Sequence, residues 1–173
     1  MADPKSADRG SGGLDVDVLA AELAETWRTN QRINVFLLEH IPDEALADTL
    51  SKRGGRDVAR QFAHLHSVRV WHLEKRARDL AEGLEAFPTK VSPSREELIE
   101  ALEASAAAVE ELLLGQLRGT PRRRGFKRGV FTTLAYFVSH ESHHRGSILL
   151  TLKQCGHRLD NATSYKIWDW DRI

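Results

Sequence analysis

The sequence predicts an all-α protein: a four-helix bundle in an up-down arrangement with longer connections and a C-terminal segment docked on it. Three observations lead there. Apolar residues recur at three- and four-residue spacing over four long stretches, no stretch alternates as a strand would, and Pro, Gly and Ser punctuate the gaps between them.

The first helix is expected from Leu14 to about Ile41. Leu19, Leu23, Trp27 and Leu38 form one apolar row, a second row runs through Val16, Ala20, Ile33 and Leu37, and Pro42 ends it. Asn30 and Asn34 lie one turn apart beside that stripe, placed either to cap buried groups or to face a site. A short helical turn follows at Asp43–Leu50, closed by Gly54-Gly55. The second helix is expected from Arg56 to about Glu82, with Val58, Phe62, Leu65, Val68, Leu73 and Leu80 on its apolar face. After a loop containing Pro88, the run Ser92-Pro93-Ser94-Arg95-Glu96-Glu97 signals a helix start, because Ser94 and Glu97 can form a capping box. The third helix buries Leu98, Leu102, Ser105, Val109 and Leu112. Six cations then crowd the loop Arg118–Arg128, and the fourth helix runs from Val130 to Gln154 and stops at Gly156. Trp168 and Trp170 suggest that the C-terminal segment packs on the bundle.

Composition removes several classes of function. Of 173 residues, 25 are Lys or Arg and 25 are Asp or Glu, so no global basic field draws nucleic acid, and nucleic-acid binding is not expected. The longest apolar runs span only a few residues, far below the roughly 20 that cross a membrane. Residues 1–13 are polar and rich in Gly and Ser, read as a disordered tail without the apolar core of a signal peptide. Residues 14–173 then make a single domain. The lone Cys155 has no partner for an internal disulfide, which suits a reducing cytoplasm.

The histidines carry the chemistry. His64, His66 and His72 fall on the second helix, His140, His143 and His144 on the fourth, and His40 and His157 at helix ends. His140 and His144 are four apart, so both rings leave one side of the helix, the side that also carries Phe137 and Ile148. Two imidazoles on a core-facing stripe need partners, and a divalent cation is a partner that uses both. A third ligand must come from another helix. His64 shares a side with Gln61, Val68 and Trp71, whereas His66 is rotated away by about 200° on an ideal helix. Three neutral imidazoles without a carboxylate suit zinc, nickel or another late first-row ion and leave positions open for substrate. His66, His72 and His143 are read as solvated residues or as supports around the site.

His140-Glu141-Ser142-His143-His144 also matches H-E-x-x-H, in which the glutamate is the general base of a zinc protease. The match stops there: no glutamate follows Glu141, and Ser147 and Leu150 stand where the extended pattern needs Gly and His.

Gly54-Gly55-Arg56-Asp57-Val58-Ala59-Arg60-Gln61-Phe62-Ala63-His64, followed much later by His140-Glu141-Ser142-His143-His144-Arg145-Gly146 and a glycine-terminated helix, resembles the DinB-like (DinB/YfiT) metalloenzymes. The resemblance spans nearly all of the chain after the tail, and the His-x-x-x-His-Arg-Gly element is its most specific part. It implies a four-helix bundle, a homodimer, and a zinc or nickel site with His64, His140 and His144 as ligands. It also implies thiol-dependent transfer chemistry, with bacillithiol, mycothiol or glutathione as cosubstrate in characterised relatives. Ser147 departs from the pattern, since glutamine is common there.

The leading expectation is a metal-dependent thiol S-transferase acting on a small electrophile, with a low-molecular-weight thiol as cosubstrate and no catalytic residue assigned beyond the metal ligands. A metal-dependent small-molecule hydrolase is the alternative, and a noncatalytic binding module using the Arg118–Arg128 loop is the third. Arg128 or Arg145 is the expected guide for an anionic thiol.

Overall fold

The computed structural model describes residues 15–173, so the expected tail at 1–13 lies outside the described residues. Four long helices run through α1 (Val16–His40), α2 (Val58–Arg76), α3 (Arg95–Leu117) and α4 (Val130–Cys155), and a short α5 (Asn161–Lys166) follows. No strand occurs among the described residues. No helix among them is long and apolar enough to cross a membrane.

Local chemistry sets the helix ends. Asp15, Asp57, Ser94 and Asp160 each accept a backbone N–H of the first turn that would otherwise lack a partner. At Ser94 the capping box is complete, Glu97 accepting the Ser94 N–H in return. Gly156 closes α4 in the left-handed region at φ 95°, which a side-chain-bearing residue adopts only with strain.

Two ends differ from expectation. α2 stops at Arg76 rather than near Glu82: Ala77 leaves the helical region at φ −154°, and the chain tightens into a 3-10 turn at Arg78–Ala81. Ala77, Leu80 and Ala81 still pack on the core, so the apolar pattern runs on past the point where the hydrogen-bond ladder changes. The turn after Pro42 likewise shortens to the 3-10 segment Asp43–Ala47.

The up-down arrangement takes a particular form. The last two turns of α1 and its C-cap Ile41 pack with the N-terminal halves of α2 and α3 and the C-terminal half of α4, around Leu38, Phe62, Leu98 and Ile148. A second apolar cluster gathers the opposite halves around Trp27, Leu73, Val109 and Phe137. The directions are therefore up, down, down, up: the long connection from Ala77 to Ser94 carries the chain back so that α3 runs parallel to α2, and α4 runs parallel to α1. Burying each large side chain contributes about 1.5–3 kcal/mol relative to exposure.

Between the two clusters lies a polar layer. Asn30 and Asn34 of α1, Arg69 of α2, Ser105 of α3 and Glu141 and Arg145 of α4 are all buried there. Glu141 accepts from Arg69 Nε at 2.7 Å and Nη2 at 2.9 Å, from Asn30 at 2.6 Å and from Asn34 at 2.7 Å. Arg145 donates to Asn34 Oδ1 and Ser142 Oγ, both at 2.8 Å. Trp27 closes the layer from the side, its indole N–H bonded to the Ala106 carbonyl and its ring 4.8 Å from the Arg69 guanidinium.

The C-terminal segment does dock, though not by its tryptophans. Ile167 is buried in the first cluster and Ile173 packs at its edge, whereas Trp168 is 74% exposed and Trp170 41%.

Candidate metal centre

His64, His140 and His144 converge. Their rings stand 4.7 to 5.4 Å apart between centroids, and one nitrogen from each lies within 4.8 Å of the others. The antiparallel crossing of α2 and α4 produces this: position 64 meets 140 and 144 at one level, while His72, two turns on, meets Tyr136 and Phe137. Tyr136 lies nearly parallel to His140, planes 7° apart and centroids 6.0 Å apart.

The histidines are not on the core stripe itself. That stripe carries Phe137, Glu141, Arg145 and Ile148, and the two rings sit one step round the helix, half-buried where α4 faces α2. A half-exposed position leaves the cluster open on one side, which a catalytic metal needs and a structural one does not.

All three imidazoles are held neutral. Burial, then the charges of Arg56 and His140, push His64 down to about 4. Burial and the neighbouring His140, His64, His143 and Arg56 push His144 down to about 4 as well. His140 is lowered by burial despite the adjacent Glu141 charge. A neutral ring is the ligating form. The Nδ1 atoms of both His140 and His144 are buried without a hydrogen-bond partner among the described residues, and a shared cation is the kind of partner such atoms lack. The donor set therefore fits a late first-row ion.

The other histidines do different work. His66, expected as solvated or supporting, is buried: its ring bridges the Ala101 carbonyl at 2.8 Å and the Glu85 carbonyl at 2.9 Å, pinning α2 to α3 and to the loop before it. His72 is half-buried among Phe126, Tyr136 and Phe137, and His143 is exposed with its ring 5.3 Å from His144.

Glu141 is turned away from the cluster. It is wholly buried in the polar layer, one step round α4 from the rings, where burial alone would raise its pKa but the charge and hydrogen bonds of Arg69, with Asn34 and Arg145, outweigh that and hold it below the usual 4.5. It has no path to a substrate beside His140, and the general-base role of H-E-x-x-H is excluded by geometry. Arg145 points into the same layer and guides nothing toward the histidines. Neither does Arg128, which borders neither cleft beside them. The cation that borders both clefts is Arg56, which sequence reasoning missed because only the folded Gly54-Gly55 turn brings it there.

Two clefts flank the cluster. One, of about 270 Å³, lies on the His144 side between Thr49, Ser51, Gln61 and Ser147. The other, of about 30 Å³, lies on the His64 side against Trp71 and Phe87. Arg56 borders both.

An all-helical bundle whose facing helices present three neutral imidazoles, with no carboxylate among them, defines the class as a histidine-cluster bundle. The chain belongs to the DinB family, whose model matches residues 15–170. No curated protein matches the chain.

Proposed function

We propose that the protein is a metal-dependent enzyme whose His64, His140 and His144 hold one zinc or nickel ion, and that it transfers a low-molecular-weight thiol to a small electrophile. The observation that carries this is the convergence of three neutral, half-exposed imidazoles beside open clefts. A bound divalent ion would supply Lewis acidity, keeping a thiol ionised near neutral pH. The chain does the rest. Burial keeps the ligands free of competing protons, Tyr136 flanks the ring of His140, and Arg69 withdraws Glu141 so that no carboxylate competes for the ion's charge. Ser147, shorter than glutamine, leaves room beside His144 for a ligand.

The same open site would serve a hydrolase, and one assay separates the two: substrate loss that requires added thiol supports the transferase, and loss without thiol supports the hydrolase. The binding-module reading loses its basis in part, because Arg123 of the basic loop is paired with Asp79 and Glu111 and Arg118 with Asp17. A homodimer and a cytoplasmic setting belong to the same proposal; the free Cys155 is compatible with the latter.

The deciding experiment is metal content by mass spectrometry on the purified protein and on His64→Ala, His140→Ala and His144→Ala. About one ion per chain, lost in each variant, is the expected result. A wild type that binds no ion after reconstitution overturns the proposal.

A further inference from the structure

We propose that the histidine site takes a small anionic ligand, a carboxylate-bearing thiol, and that Arg56 is the residue that binds its carboxylate. This rests on the metal site and the thiol cosubstrate proposed above; what the clefts add is the ligand's charge and the residue that reads it. It starts from charge. Arg56 borders the clefts on both sides of the histidines, and no ion pair among the described residues involves it.

The acids nearest to it in sequence are engaged elsewhere. One oxygen of Asp57 caps α2 by accepting the Arg60 N–H at 2.8 Å, and the other accepts from Ser92 at 2.6 Å. Asp48 holds the ring of His157 at 2.7 Å. Arg60, also on the rim, donates to the carbonyls of Thr89 and Gly55, so its hydrogen bonds are used while its charge stays unbalanced. No carboxylate lines either cleft. Beside Arg56 the larger one is lined by neutral side chains, of which Ser51, Gln61 and Ser147 can donate. Its volume of about 270 Å³ falls just under the roughly 300–1,000 Å³ of drug-sized pockets. A guanidinium with free donors facing an acid-free cleft recognises an oxyanion, and carboxylate matches its two-pronged geometry.

The loop that carries Arg56 is built to hold it there. Gly54 turns at φ 90°, and Gly55 sits so close to Ser51 that a Cβ would overlap the Ser51 side chain. The Ser51 hydroxyl accepts the Gly55 N–H at 2.8 Å and the Arg53 N–H at 3.3 Å, tying the turn down one residue before Arg56. With the carboxylate on Arg56, the other end of a short ligand reaches His144 across the same cleft.

The test is a charge series on the cobalt-loaded protein, whose visible absorption reports ligands at the metal. 3-Mercaptopropionate, 2-mercaptoethanol and cysteamine carry the same thiol on an anionic, a neutral and a cationic chain. The wild type is expected to bind the anion about tenfold more tightly than the neutral thiol and the cation most weakly, a size suited to one charge-assisted contact at a partly open site. Arg56→Gln should erase that preference while keeping its cobalt. Arg53→Gln, which removes the same charge from the same loop outside both clefts, should keep the preference. Equal affinities in the wild type, or a preference that survives Arg56→Gln, overturn the assignment of Arg56 and leave the metal site standing. A wild type that takes up no cobalt overturns the metal reading, and this proposal with it.

Discussion

Arg69 and Glu141 form the one ion pair among the described residues in which both side chains are dry, at 0% and 1% exposure. It joins α2 to α4 directly behind the histidine cluster. Breaking such a pair from one side leaves a buried charge uncompensated. Glu141→Gln keeps the shape and the Asn34 contact but leaves Arg69 and Arg145 without any negative charge. The expected cost is about 3–5 kcal/mol of unfolding free energy, measured by chemical denaturation. Unchanged stability would mean that the two buried guanidinium groups do not depend on this carboxylate.

Acid sensitivity has a definite window. His64 and His144 titrate at about 4 in the folded chain against 6.5 as free side chains, so between those values the unfolded chain binds more protons. Stability of the metal-stripped protein must therefore rise with pH from about 4 to 6.5 and level off above. Because both rings are half-exposed, each contributes only about 1 kcal/mol after allowance for solvent screening. Glu141 acts lower down: its folded pKa is depressed, so its contribution is present above 4.5 and lost as pH falls through the folded value. Denaturation midpoints taken across this range check both. A profile flat from 4 to 6.5 would mean that burial does not hold the histidines neutral.

Gly55→Ala probes the mouth of the site without touching a ligand. The added methyl must displace Ser51, so the turn shifts and Arg56 with it. The loop is exposed, and the stability change should stay below about 1 kcal/mol. Metal stoichiometry should be unchanged while affinity for 3-mercaptopropionate falls about as far as in Arg56→Gln. Full affinity in Gly55→Ala would mean that the turn does not position the arginine.

Much of this was legible in the sequence because it is local. A capping box at Ser94–Glu97, a glycine stop at Gly156 and apolar periodicity are settled within one or two turns, and so is the shared side of His140 and His144. His64 was found as their companion from helical phase alone. What stayed hidden depends on partners far along the chain. Nothing near Glu141 announces that Asn30, Asn34 and Arg69 will surround it, so its neighbours His140 and His144 invited a protease reading that the buried carboxylate rules out. Arg145 was read as a guide for substrate for the same reason: its acceptor, Asn34, is 111 residues away. Trp168 and Trp170 misled in the opposite sense, since hydrophobic bulk suggested docking that Ile167 carries out.

The polar layer also governs the order in which the molecule can be completed. Asn30, Asn34 and Arg69 are synthesised long before residue 141 supplies the carboxylate they share. A chain that has emerged only through α3 would have to bury the Arg69 guanidinium with no counter-charge, a cost set against the apolar surface that α1, α2 and α3 bury on one another. Its counter-charge, Glu141, arrives on α4 together with His140 and His144, so the step that pairs the buried guanidinium also assembles the three-histidine cluster.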